Sequence, residues 1–209
     1  MNALTLTNVG KTFTMHLQGG LRLPVLRNVT FAAAPGQCLV LTGPSGAGKS
    51  SVLKLIYGNY RCDHGNILVS AGDSVVDIAL AAPREILAVR QRALGYVTQF
   101  LRAVPRVSAL DIVAEPLIVK GVAREEATER AAAMLKRFNV PERLWSLPPS
   151  TFSGGEQQRI NLARGLLPEH PILLLDEPTA SLDANNRAVV VDIIAERKKT
   201  GAAIVAIVH

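Results

Sequence analysis

Gly43-Pro44-Ser45-Gly46-Ala47-Gly48-Lys49-Ser50 fits the pattern G-x-x-x-x-G-K-S, and its flanks decide the fold. Before it, Cys38–Thr42 is a continuous apolar run of strand length; after it, Ser51-Val52-Leu53-Lys54-Leu55-Ile56 has the spacing of a helix that packs onto a sheet. A strand, a glycine-rich turn and a helix in that order make a cradle for phosphates. The glycines let the loop wrap a phosphate chain while backbone N–H groups point inward at a helix N-terminus. In that role Gly43, Pro44, Ser45, Gly46, Ala47, Gly48, Lys49, Ser50 and the adjoining Ser51 bind the nucleotide, Lys49 reaches the outer phosphates, and the Ser50 hydroxyl coordinates Mg²⁺.

A second apolar run, Ile172-Leu173-Leu174-Leu175, ends in Asp176-Glu177. A buried strand that delivers two carboxylates to its C-terminal end places them where open α/β sheets bind ligands. Asp176 is suited to hold Mg²⁺ through water, and Glu177, one residue on, to polarise a water for attack on a γ-phosphate. Other strand-like stretches are Leu4–Val9 and Val29–Phe31, which alternate, then Ile67–Val69, Pro171–Leu175 and Ala203–Val208. From Leu101 to Leu167 the periodicity is helical, with Ala127, Ala131, Met134, Leu135 and Phe138 forming one packing stripe. The expectation is an α/β core with a helical insertion at its centre.

Ser153-Gly154-Gly155-Glu156-Gln157-Gln158-Arg159 opens a helix, with Ser153 and Glu156 as an S-x-x-E capping box. A cap alone does not call for two glycines. Bare N–H groups at a helix start form an anion site, and a phosphate from another subunit would fill it.

Together these segments resemble the ATP-binding cassette (ABC) ATPases, and the resemblance covers essentially the whole chain. It implies a P-loop nucleotide-binding domain: a mostly parallel core sheet, an N-terminal antiparallel β part and a helical subdomain. On that pattern one domain spans residues 1–209, with 1–100 and 168–209 as the catalytic core and 101–167 as the helical part. The cofactors implied are ATP and Mg²⁺. Gln99 matches the glutamine that links Mg²⁺ and the attacking water to the helical part, and Ser181-Leu182-Asp183 the loop at a dimer seam. His209 matches the switch histidine on the γ-phosphate. Phe13 sits where the family stacks an aromatic ring on adenine, although a packing role suits it as well. Ser153, Gly154, Gly155, Glu156 and Asp183 are then expected to act in trans on the ATP of a partner, in a homodimer or a heterodimer of paralogous cassettes. Cassettes ordinarily continue past this histidine, so a C-terminal end is expected to be missing.

Within the family, Arg22–Leu26, Gln99–Arg102, Asn139–Trp145 and Pro149–Arg159 resemble the cassette subunit of the bacterial carbon–phosphorus lyase system. That implies a multi-subunit core forming ribose 1-phosphonate 5-triphosphate from ATP and a phosphonate. The alternative is the ATPase of a transporter, either lipoprotein- or macrolide-exporter-like or a phosphonate importer, gripping a membrane subunit beside Gln99.

Composition bounds these readings. The 209 residues are 48% hydrophobic and 19% charged, enough for a packed core, and the net charge of +6 suits an anionic ligand. Aromatic residues at 4% offer little for stacking bases, and no nucleic acid is expected. Arg84, Arg90, Arg92, Arg102 and Arg106 suit either a protein partner or a solvated surface. Cys38, inside an apolar run, reads as a small core hydrophobe; Cys62 beside His64 lacks the further ligands of a metal site. The N-terminus has no signal-peptide pattern and no run reaches the ~18–20 apolar residues that span a bilayer, so the expected location is cytoplasmic without direct membrane insertion.

Overall fold

The computed structural model describes residues 2–99, 101 and 105–208. Two four-stranded sheets carry the architecture. The antiparallel one runs in the order β2 (Leu21–Ala33), β1 (Leu4–Met15), β4 (His64–Ala71), β5 (Ser74–Asp77). The parallel one runs β3 (Cys38–Leu41), β8 (Ala203–Ile207), β7 (Ile172–Asp176), β6 (Leu94–Val97). The helices are α1 (Lys49–Ile56), α2 (Pro83–Arg92), α3 (Ala109–Val119), α4 (Arg124–Arg137), α5 (Gly154–Leu166) and α6 (Ala184–Lys199).

The unbroken apolar runs of β7 and β8 exist because both faces of the parallel sheet are covered. Ile172, Leu174, Ala203, Val205 and Ile207 pack into one core with α1 and the antiparallel sheet. The alternate residues Leu173, Leu175, Ile204 and Ala206 pack into a second core with α3, α4, α5 and α6. Side chains that alternate along a strand thus feed two cores from one sheet. Each fully buried Leu or Ile contributes about 1.5–3 kcal/mol of transfer free energy.

The expected strands at Ile67–Val69, Pro171–Leu175 and Ala203–Val208 are β4, β7 and β8, and the described residues from 105 to 167 contain no strand. In α4 and just beyond it, Ala127, Ala131, Leu135 and Phe138 are fully buried, so the stripe is packing. The first two strands run much longer than Leu4–Val9 and Val29–Phe31. Their pairing shifts register between Leu6 and Val9, Val9 and Lys11, and Lys11 and Thr12, with Asn8 and Asn28 at φ of 50° and 51°. Such irregularities break the alternation by which a strand is recognised. Cys38 packs against the core from its margin: β3 is the end strand of its sheet, Cys38 is half-buried, and Val40 is 45% exposed. Partial burial still pushes the Cys38 thiol above its ordinary pKa, offset in part by Lys198.

Candidate functional site

The phosphate loop joins β3 to α1 and lies exposed from Gly43 to Ala47. Gly48 is the last residue before α1, at φ 86°, and a Cβ there would stand 2.8 Å from both Leu26 Cδ2 and Val25 Cγ1. Glycine is what lets the loop rest against β2. The Lys49 ammonium donates to the carbonyls of Gly43 at 2.8 Å and Pro44 at 2.9 Å, which holds the cation at the loop.

The first residue after Lys49 reaches the end of β7. Ser50 Oγ donates to Asp176 Oδ1 at 2.9 Å, and Tyr96 of β6 donates its phenol O–H to Asp176 Oδ2 at 3.2 Å. Asp176 is only 5% exposed, so both its oxygens are oriented inside the protein. Glu177 follows at φ 52°, a left-handed conformation rare for a residue with a side chain and concentrated at functional sites. Gln99 Nε2 donates to Glu177 Oε2 at 3.3 Å. Asn161 of α5, 7% exposed, donates to the Thr98 carbonyl at 2.6 Å and ties the segment holding Gln99 to the helical region. Lys49, Ser50, Gln99, Asp176 and Glu177, far apart in sequence, therefore form one cluster. Tyr96 and Asn161 belong to it and were not foreseen. A tyrosine three residues before Gln99 was visible, but nothing in its spacing said that its hydroxyl meets Asp176.

Ser153 and its neighbours lie elsewhere. The capping box is formed: Ser153 Oγ accepts from the Glu156 N–H at 3.4 Å and donates to Glu156 Oε2 at 2.7 Å, while Ser153 N–H donates to Glu156 Oε2 at 2.9 Å. The Ser153 hydroxyl and N–H hold the Glu156 carboxyl below its ordinary pKa. A Cβ on Gly155 would sit 3.9 Å from the Ser181 carbonyl, so this helix start adjoins the Ser181–Asp183 turn of its own chain. Asp183 caps α6 by accepting from the Asn186 N–H at 2.8 Å, and that bond lowers its pKa.

A cleft of about 780 Å³ extends from Ser50 and Asp176 past Tyr96 and Gln99 to Glu115, Lys120 and His170. Burial, then Lys120 and Arg197, bring the His170 pKa from 6.5 down to about 4, so this ring is neutral at pH 7. Arg90 lines the cleft as a structural tie: Nε donates to the Tyr57 carbonyl at 2.8 Å, Nη2 to Asn59 Oδ1 at 2.9 Å, and the guanidinium lies 4.4 Å from the Tyr57 ring centroid. Arg84, Arg92 and Arg106 are exposed. Phe13 lies in β1 with its ring at the edge of Tyr60, the centroids 5.1 Å apart. Among the described residues no group of three or more His, Cys, Asp or Glu could hold a metal by itself, Cys62 and His64 included. Ser50 and Asp176 are hard oxygen donors of the kind Mg²⁺ takes when substrate phosphates complete its shell. His209, Phe100 and Arg102 lie outside the described residues.

A family model described as ABC transporter matches residues 26–180, which is most of the chain and takes in every residue of the cluster. The chain belongs to the ABC transporter family. The cassette is 34% identical to the lipoprotein-releasing system ATP-binding protein LolD of Alcanivorax borkumensis, over all of this chain and 90% of that one. It is 32% identical to the macrolide export ATP-binding/permease protein MacB of Syntrophobacter fumaroxidans, covering all of this chain and 28% of that larger protein. Among solved structures it resembles the dimeric cassette MJ0796 bound to ADP and Pi, with a TM-score of 0.88 and 30% identity over 99% of this chain and 88% of that one. The P-loop α/β fold with an antiparallel N-terminal sheet is therefore the fold of this cassette. Among the described residues, no helix is long and apolar enough to cross a membrane.

Proposed function

We propose that the cassette binds and hydrolyses ATP as a head-to-tail dimer and drives an export partner in the membrane, of the lipoprotein-releasing or macrolide kind. The observation that carries the ATPase reading is the cluster at the ends of β3, β6 and β7: Lys49 on the loop, Ser50 on Asp176, and Gln99 on Glu177. The Lys49 ammonium and the loop N–H groups bind the phosphates. Ser50 Oγ, Asp176 and Gln99 would hold Mg²⁺, with the Tyr96 hydroxyl fixing the Asp176 carboxylate. When bound, Mg²⁺ neutralises phosphate oxygens and aligns the γ-phosphate. Glu177 takes the proton of a water whose oxygen attacks the γ-phosphorus. The bond from that phosphorus to the bridging oxygen breaks, and ADP leaves. Ser153, Gly154, Gly155, Glu156 and Asp183 face the ATP of the partner, with residues 101–167 as the arm that carries the Ser153 helix.

The exporter reading is supported by relatives named for lipoprotein release and macrolide export. It stands ahead of the carbon–phosphorus lyase role expected from sequence, which no relative named above shares. A cassette of the carbon–phosphorus lyase kind, working in a soluble phosphonate-degrading complex, remains the second reading on the strength of Arg22–Leu26, Gln99–Arg102, Asn139–Trp145 and Pro149–Arg159. The test of the ATPase reading is Glu177→Gln, which keeps shape and nucleotide but loses the base. ATP binding should persist, turnover should fall about 10²–10⁴-fold, and closed dimers should accumulate. Wild-type turnover would remove Glu177 from the role. Recovery of the tagged chain with a membrane permease supports export; recovery in a soluble complex, with loss of growth on phosphonate on deletion, supports the second reading.

A further inference from the structure

Phe13 does not stand alone at the end of β1. Contacts from the turn that follows α1 hold it, both directly and through its neighbours in β1. Asp63 N–H donates to the Gly10 carbonyl at 2.9 Å. The Asp63 carboxylate accepts from the Thr12 N–H at 2.6 Å and from Lys11 Nζ at 2.9 Å, the two residues immediately before Phe13. Lys11 Nζ in turn lies 5.4 Å from the Phe13 ring centroid. The Tyr60 ring meets that of Phe13 at 5.1 Å and 76°, the edge-to-face arrangement that aromatic pairs favour.

The same turn is anchored to the helix that begins at the phosphate loop. Asn59 and Tyr60 N–H groups donate to the Lys54 carbonyl at 2.8 and 3.3 Å, and Lys54 Nζ lies 5.6 Å from the Tyr60 ring centroid. On the other side, Lys11 pairs with Leu26 in β2, and Leu26 is, with Val25, what a Cβ on Gly48 would strike. Two short routes thus connect the Phe13 ring to Lys49: through Tyr60 and α1, and through β2 and Gly48. Lys11 is well covered, its side chain 16% exposed, so its ion pair with Asp63 is partly shielded from solvent. The Lys11 hydrogen bond holds the Asp63 carboxyl below its ordinary pKa, as a formed pair requires.

We propose that Tyr60, Asp63 and Lys11 form a buttress that fixes the Phe13 ring relative to the phosphate loop, making them positioning residues for the nucleotide base. This rests on the ATP-binding reading above, with Phe13 as the stacking ring. A ring already held in place loses little freedom when a base stacks on it, so the buttress contributes through preorganisation. It acts on the base end of the ligand and leaves the phosphate end alone.

The two ends are separated by titrating each variant with Mg·ATP and, in parallel, with magnesium tripolyphosphate, which has the phosphates and no base. Phe13→Ala should weaken ATP roughly 5- to 150-fold, the range of one base–aromatic stack, and leave tripolyphosphate unchanged. Tyr60→Leu and Asp63→Asn should each weaken ATP about 3- to 10-fold, again with tripolyphosphate unchanged, and Tyr60→Phe should retain wild-type ATP affinity. Unchanged tripolyphosphate binding also shows that each variant is folded, and Asp63→Asn, at a more exposed site, keeps the test alive if Tyr60→Leu is not. ATP affinity unaltered in Tyr60→Leu and Asp63→Asn, alongside a loss in Phe13→Ala, overturns the buttress. Equal weakening of both ligands overturns it too, because the residues then serve the loop as a whole. No loss in Phe13→Ala refutes the stacking assignment beneath it.

Discussion

Gly48→Ala and Gly46→Ala make a matched pair, because both positions have positive φ, 86° and 81°, and only one is crowded. At Gly46 nothing lies within 4 Å of an added Cβ; at Gly48 the Cβ would come to 2.8 Å from two side-chain methyls and 3.2 Å from the Val25 carbonyl. A left-handed alanine costs about 1–2 kcal/mol, offset by about 0.4–1 kcal/mol from the lower entropy of its unfolded chain. Gly46→Ala should therefore lose somewhat under ~1 kcal/mol. Gly48→Ala adds the overpacking term of about 1–3 kcal/mol, since Leu26 is 7% exposed and has little room to retreat. The difference, about 2 kcal/mol, should appear as a gap of roughly 4–8 °C between the two melting temperatures for a chain of this size. Differential scanning calorimetry at one pH and without nucleotide measures it directly. Equal melting temperatures would refute the claim that the loop is pressed against β2, and with it one of the two routes from Phe13 to Lys49.

Three further outcomes follow from the same geometry. Tyr96→Phe removes only the O–H that holds Asp176 Oδ2, so the Mg²⁺ concentration for half-maximal ATPase should rise several-fold while ATP binding without metal stays unchanged; a metal requirement identical to wild type would leave Tyr96 as packing alone. His170 has a folded pKa of about 4 against an ordinary 6.5, so the unfolded chain binds the extra proton between those values and stability falls as pH drops through that window. At about 1.4 kcal/mol per pH unit the loss is at most about 3 kcal/mol, and His170→Gln should flatten it in urea melts at pH 7 and pH 4.5. Ser153→Ala removes the N-cap of α5 and should cost about 1 kcal/mol in the same melts, with no loss pointing to a cap already replaced by water.

Most of the fold was legible where a physical constraint writes itself into neighbouring residues. The phosphate loop, the buried runs of β7 and β8 and the stripe of α4 are local patterns of that kind. Others were not. β6 is four residues, Leu94–Val97, and contains Gly95, where a Cβ would meet Leu173 Cδ2 at 2.8 Å; it is a strand because β7 pairs with it. α6 buries Asn186, Val190 and Ile193, too few and too mixed with polar residues to give a clear stripe. At the site, Lys49, Ser50, Asp176, Glu177 and Gln99 were legible because each lies in a motif. Tyr60, Asp63, Tyr96 and Asn161 were not, because their partners are 47 to 80 residues away and reached through tertiary packing alone: Tyr60 to Phe13, Asp63 to Thr12, Tyr96 to Asp176, Asn161 to Thr98.

What gathers the site is the register of the parallel sheet. Leu41 lies opposite Ile207, Ile207 opposite Asp176, and Leu175 opposite Val97, so three loops leave the same edge at nearly the same height. Parallel strands must all present their C-terminal ends on one side, and the phosphate loop, the carboxylate pair and Gln99 follow from that direction of travel. Buried apolar pairing fixes the register, since a one-residue slip of β7 would exchange Leu173 and Leu175 with Ile172 and Leu174 between the two cores. The same slip would displace Asp176 by about 3.3 Å along the strand and break its 2.9 Å bond to Ser50. The apolar packing of β7 and the placement of its carboxylate are therefore one constraint. Asn161 extends it to α5: its bond to Thr98 links the helix that Ser153 caps to the strand end that carries Gln99, whose amide in turn donates to Glu177.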